Sequence, residues 1–141
     1  MKYLVNLTFL LFILVSCVQN APDTSAFDEG LALFEKNKAI ADKTFDLFIA
    51  KDLDGMNGWM TEFEVFSFND RQYYPGVDDN FVPDGSVRTY GTWVGTHNSG
   101  ATTVSKYYSV TQYNDEGKIV TALEWFDVGG VFDQLESQLQ N

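Results

Sequence analysis

One cysteine, one histidine and three prolines stand among 141 residues, and nine lysines and arginines face twenty aspartates and glutamates. Each shortage excludes a class of chemistry. A lone cysteine builds neither an intrachain disulfide nor a cysteine-based zinc site, and a lone histidine builds no multi-histidine centre, so no metal and no cofactor is expected. No Walker loop, dinucleotide fingerprint, HExxH or GxSxG sequence occurs. A formal net charge of -11 and a pI near 4.2 disfavour nucleic acid as a partner, because phosphate binding needs clustered Lys and Arg. The same acidity repels anionic headgroups, so protein surface is not expected to hold a membrane. What is abundant is core material: 45% of residues are hydrophobic and 16% aromatic, enough for one domain that is stabilised by packing alone.

The single cysteine has a telling place. Met1-Lys2 gives a small positive start, residues 3–15 are apolar apart from Asn6 and Thr8, and Leu14-Val15-Ser16-Cys17 closes the run. The stretch falls short of the roughly 20 apolar residues of a spanning helix. It resembles the signal peptide and lipobox of a bacterial lipoprotein. That resemblance implies cleavage before Cys17, lipidation of its thiol and new amino group, and a place in the bacterial cell envelope, most naturally the outer membrane. Contact with the membrane is then through the lipid anchor only, and two or more acyl chains make such anchoring stable. The organisation expected is a signal peptide over 1–16, a lipid-anchored tether over 17–26 and a domain over 27–141. At about 3.3 Å per extended residue the tether reaches roughly 30 Å.

Within the domain, Ser25 followed by Asp28 has the form of a capping box with Asp in place of Glu. Phe27, Leu31, Phe34, Ala41, Phe45 and Phe48 then recur at helical spacing, which predicts a long amphipathic helix. Asp52 is placed to cap a shorter helix ending near Met60, weakened by Gly55 and Gly58. From Glu62 the period becomes two, with Phe63 and Val65 alternating with Glu62 and Glu64 in a strand over 62–68. Residues 69–85, rich in Asp, Pro and Gly, read as a long loop. Three antiparallel strands follow, at about 86–97, 102–113 and 118–126, with turns at Asn98-Ser99-Gly100 and Asn114-Asp115-Glu116-Gly117. Asp127 then caps a last helix that uses Val131, Phe132, Leu135 and Leu139. Helices first and a hairpin-connected sheet afterwards make an α+β fold.

Gly117-Lys118-Ile119, Leu123-Glu124-Trp125-Phe126-Asp127 and Phe132-Asp133-Gln134-Leu135 resemble the ending of the nuclear transport factor 2 superfamily, in particular its SnoaL-like branch. Ala50-Lys51-Asp52-Leu53-Asp54-Gly55 resembles the break after that family's first helix, and Tyr90-Gly91-Thr92-Trp93-Val94-Gly95 its first long central strand. The resemblance spans about Phe27 to Leu139. It implies a cone-shaped, cystatin-like roll: a long N-terminal helix packed on a curved antiparallel sheet, with a pocket between them, and commonly a homodimer through the outer sheet face. The fold hosts isomerases, cyclases, dehydratases and hydrolases as well as members that only bind, so it does not by itself give a function.

Alternation along the last strand separates Thr121, Leu123, Trp125 and Asp127 from Val120, Ala122, Glu124 and Phe126. The Trp125 and Asp127 side is expected to face the pocket. The ligand pocket is therefore assigned to Tyr90, Trp93, Leu123 and Trp125, with Tyr107 as a further hydroxyl donor. Family enzymes place a carboxylate in an apolar cavity, where desolvation raises its pKa into the working range of an acid or base. Asp127 suits that role, with Tyr108 or His97 as partner; equally, Asp127 is a preferred helix cap. His97 ends a strand beside Asn98, where it is readily exposed. Asp78, Asp79 and Asp84 read as a solvated acidic loop. Two functions follow: binding of a small, largely apolar ligand or a protein partner, or cofactor-independent lyase, isomerase or hydrolase chemistry through a pocket Asp.

Overall fold

The protein is described by a computed structural model over residues 23–50 and 62–140. Cys17, the leader, most of the tether and the second helix expected over 52–60 lie outside the described residues. The architecture is α+β. Helix α1 (Ser25–Ile49) is followed by strands β1 (Phe63–Val77), β2 (Pro83–His97), β3 (Thr102–Tyr113) and β4 (Ile119–Phe126), then helix α2 (Val128–Leu139). The strands form one open antiparallel sheet in the order β1-β2-β3-β4. Among the described residues no helix is long and apolar enough to cross a membrane.

Helix α1 begins at the residue expected to cap it. Thr24 is the N-cap and its hydroxyl donates to Asp28 at 3.0 Å, so the Ser25/Asp28 box is not formed. Its apolar stripe buries Phe34 and Ala41 against Val87, and Phe45 stacks near Phe68 with ring centroids 4.6 Å apart. Burying one such aromatic side chain is worth about 1.5–3 kcal/mol. Arg71 on β1 fastens the helix from its polar flank. Its guanidinium reaches Asp42 at 2.7 Å and Asp46 at 2.8 Å, while the Tyr73 hydroxyl donates to the same Asp42 oxygen at 2.7 Å. The Tyr73 hydroxyl and then the Arg71 guanidinium hold the Asp42 carboxyl below its ordinary value.

Strand β1 runs nine residues beyond the end expected from alternation, through most of the stretch read as a loop. Three register shifts interrupt its pairing with β2, and the first two explain why the period hides it. One between Phe63 and Val65 returns Phe63, Phe66 and Phe68 to the same face and leaves Val65 exposed. A second, between Asn69 and Gln72, carries Asp70 at φ 55° and brings Tyr73 back to the helix side. An extra residue in one strand switches side-chain parity, so strict alternation fails although pairing continues. Pro75 is tolerated because β1 is an edge strand. The true reversal is short: the Asp78 carboxylate accepts from the Asn80 and Val82 amides at 2.8 and 2.9 Å, so its charge is committed to the turn. The other two turns fall where expected, with Gly100 and Gly117 at φ 87° and 77°.

Gly91 and Gly95 on β2 make room for the rings of β1. A Cβ on Gly91 would lie 2.2 Å from the Phe68 ring, and one on Gly95 would lie 2.7 Å from the Phe63 ring. The rings therefore lie across β2, and Phe68 stacks on Trp93 at 4.4 Å. A second cluster, Phe63, Phe66, Ala101 and Leu135, joins the sheet to α2.

Helix α2 also closes an edge. Strand β4 pairs with β3 only from Tyr107 to Tyr113, which leaves the start of β3 paired to β2 on one side and without a neighbour strand on the other. Two glutamines one helical turn apart supply the missing partners. The Gln134 amide accepts from the Val104 N–H at 2.8 Å and donates to the Val104 carbonyl at 3.0 Å. Gln138 does the same with Thr102 at 3.0 and 2.8 Å. Side-chain amides thus stand in for a strand and satisfy the backbone groups of an otherwise open edge.

Candidate functional site

Helix α1 lies over β2 and β1, and α2 lies over the start of β3, so the inner face of β3 and β4 is incompletely covered. That face of β3 carries Thr103, Ser105, Tyr107, Ser109 and Thr111, all buried, and four of the five are small. Small side chains beneath a gap between two helices leave space. The result is a cavity of about 360 Å³, bounded by Phe45 and Phe48 of α1, Trp93 of β2, Tyr107 of β3, Phe126 of β4 and Val131 of α2. Its volume falls in the range of small-molecule pockets, which begins near 300 Å³.

One ionisable pair stands in this aromatic wall. The Tyr107 hydroxyl donates to Glu124 Oε1 at 2.8 Å. Burial, reinforced by the neighbouring Glu124 charge, pushes the Tyr107 pKa well above that of a free tyrosine, so it remains a donor. Tyr113, also on the lining, is raised by burial. Glu124 itself is exposed, on the edge strand. Among the described residues, no lysine, arginine or histidine lines the cavity and none forms an ion pair with Glu124.

The facing of β4 is the reverse of that expected from its alternation. Ala122, Glu124 and Phe126 point to the cavity, and Leu123 and Trp125 stand on the outer face, each 52% exposed. The physical reason is the register: Trp125 pairs with Tyr108 and Leu123 with Val110, both on the side of β3 away from the helices. Alternation separates two sides but does not say which one is covered. Of the four residues assigned to the pocket, Trp93 lines the cavity, while Tyr90 and Trp125 line an open groove of about 810 Å³ that runs over the outer face and shares Tyr107, Glu124 and Phe126 with the cavity. Leu123 lines neither. On that outer face Tyr74, Tyr90, Tyr108 and Trp125 form a row, with centroid distances of 5.8, 4.7 and 5.1 Å.

Asp127, Tyr108 and His97 are not brought to one place. Asp127 caps α2, its carboxylate accepting from the Gly130 amide at 2.8 Å. It lines the outer groove with Tyr108, whose ring is stacked between Tyr90 and Trp125. His97 lies at the end of β2, where its Nδ1 meets the Ser99 hydroxyl at 2.8 Å and its ring packs edge-on against Phe63. It lines neither concavity. Among the described residues no cluster of His, Cys, Asp or Glu could hold a metal ion.

The residue that sequence reasoning missed is Glu124. A signal for it existed in β3, where Thr103, Ser105, Ser109 and Thr111 alternate at period two: small hydroxyl side chains on one strand face mark the side where room is left. The β4 residues across from Tyr107 and Ser109 then follow as Phe126 and Glu124. In comparisons with protein-family models, curated proteins and solved structures, nothing matches the chain.

Proposed function

We propose that the chain is an envelope-anchored lipoprotein whose domain, a SnoaL-like cone of the nuclear transport factor 2 type, holds a small, largely apolar ligand between its helices and the inner sheet face. The observation that carries this reading is the cavity of about 360 Å³ walled by Phe45, Phe48, Trp93 and Phe126. A dry cavity of about 150 Å³ takes one benzene, so this space suits a ligand of two fused or linked rings or an equivalent chain. The arrangement favours binding over proton transfer. Tyr107 keeps its proton and Asp127 is committed to α2, which leaves no pair of groups among the described residues poised to exchange a proton inside the aromatic wall.

Titration of the full chain with the neutral fluorophore N-phenyl-1-naphthylamine tests the reading. Saturable enhancement with one molecule per chain is expected, together with its loss in Thr44→Trp, which places an indole on the cavity wall. Retention of the wild-type melting temperature by that variant separates filling from unfolding. Absence of saturable binding, or equal binding by a folded Thr44→Trp, would overturn the proposal.

We also propose that a second copy of the chain covers the outer sheet face. Tyr74, Tyr90 and Trp125 of the aromatic row are exposed and Tyr108 is half-buried between its neighbours; exposed Leu123 shares this face, and the row runs to the open edge at β4. Glu124 is the only charged residue of the eight in β4, so two copies meet there without an array of like charges. Light scattering is expected to give twice the chain mass for the wild type and the single mass for Leu123→Glu. A single mass for both excludes the dimer.

A further inference from the structure

We infer that the cavity selects an amphipathic organic cation: a protonated amine or quaternary ammonium at the Glu124 mouth, with its apolar body among Phe45, Phe48, Trp93 and Phe126. The inference rests on the ligand-binding reading above and adds the charge of the ligand. Three independent features point to it. The lining holds one carboxylate and no cationic side chain among the described residues, so an anionic ligand would meet repulsion and find no partner. Glu124 uses one oxygen, Oε1, on the Tyr107 hydroxyl at 2.8 Å, and among the described residues it forms no ion pair, Lys106 of the outer groove donating instead to the Thr92 hydroxyl at 2.7 Å.

The third feature is the wall itself. Aromatic faces carry a negative quadrupole and attract ammonium groups within about 6 Å, an attraction that grows as water is excluded. Phe126 neighbours Glu124 in β4 but one residue along, and both line the cavity with Tyr107, so a cation at the carboxylate meets aromatic rings as well as charge. A neutral apolar ligand would gain from the rings and leave Glu124 unused. A cation uses both. The formal charge of -11 adds a field that raises the local concentration of cations around the mouth.

Calorimetric titration of the full chain with three probes of one body decides the matter: 4-phenylbutylamine, 4-phenylbutan-1-ol and 4-phenylbutyrate, each corrected by a blank of the same detergent. The amine is expected to bind about tenfold or more tightly than the alcohol, which corresponds to about 1.4 kcal/mol, and the acid least. Glu124→Gln is expected to bring the amine to within about twofold of the alcohol measured on the same variant. Glu124→Lys should rank the acid above the amine. An amine no tighter than the alcohol in the wild type, or an advantage that survives Glu124→Gln, overturns the cation assignment while leaving the cavity reading intact. If none of the three probes binds, the cavity reading falls with it.

Discussion

Replacing both Gln134 and Gln138 by alanine removes the side-chain strand that closes the start of β3. Four hydrogen bonds to the Thr102 and Val104 backbone are lost, with lengths between 2.8 and 3.0 Å. An intramolecular bond nets about 0.5–1.5 kcal/mol, and these lie on an exposed edge where water can replace them, so about 0.5 kcal/mol each is appropriate. The sum is about 2 kcal/mol, from which the better helix propensity of alanine returns a few tenths per site. A net loss of about 1–1.5 kcal/mol lowers the melting temperature by roughly 5–10 °C for a domain of this size. Urea denaturation gives the free energy, and amide hydrogen exchange gives the location: Thr102 and Val104 are expected to lose protection while Tyr108 and Val110, whose amides point to the same side of β3 and meet β4, keep theirs. A control separates bonding from bulk. Gln134→Glu retains the size and the acceptor but faces the Val104 carbonyl without a donor, and is expected to destabilise more than Gln134→Ala. Unchanged exchange at Thr102 and Val104 in the double variant would refute the reasoning, whatever the melting temperature did.

Three further outcomes follow from the same geometry. Asp127→Ala costs about 1 kcal/mol of stability through the lost cap, whereas Asp127→Asn, also a good cap, stays near wild type; naphthylamine binding is unchanged in both, and loss of binding in a stable Asp127→Asn would contradict the cap assignment. Asp42 titrates below its ordinary value of 3.8 in the folded chain, so its contribution is complete above that pH and fades as pH falls through the folded value. Urea titrations of Asp42→Asn should accordingly show a deficit at pH 7 that begins to shrink only as pH falls below 3.8, and a deficit independent of pH would count against the Tyr73 and Arg71 partnership. The Thr89 hydroxyl is buried with no hydrogen-bond partner among the described residues, so the near-isosteric Thr89→Val is expected to stabilise by up to about 1 kcal/mol in the same assay, and a loss of stability would indicate a partner for that hydroxyl.

How far the sequence reveals this molecule depends on which signal an element carries. The long helix and the two later turns are legible because periodicity and glycine chemistry are local: Phe34, Ala41 and Phe45 need only helical spacing, and Gly100 and Gly117 need only a left-handed backbone. Strand β1 is not legible beyond Phe68, because its bulges break the period from which strands are read, and Asp70 and Pro75 look like loop residues until the edge position is known. The facing of β4 is a tertiary fact: Trp125 and Glu124 alternate on any reading, and only the pairing to β3 beneath two helices decides which of them meets the cavity. Gln134 and Gln138 are ordinary helix formers in sequence. Their bonding to β3 requires the helix to return alongside a strand edge about thirty residues earlier, which no local pattern specifies.

The claim on which the rest depends is that ligand enters the space between the helices and the inner face of the sheet. Intermolecular nuclear Overhauser contacts from bound N-phenyl-1-naphthylamine locate it directly. Contacts to Phe48, Trp93 and Val131, all on the cavity wall, are the predicted result. Contacts to Tyr90, Tyr108 and Trp125 on the outer groove, with none to Trp93, would contradict it.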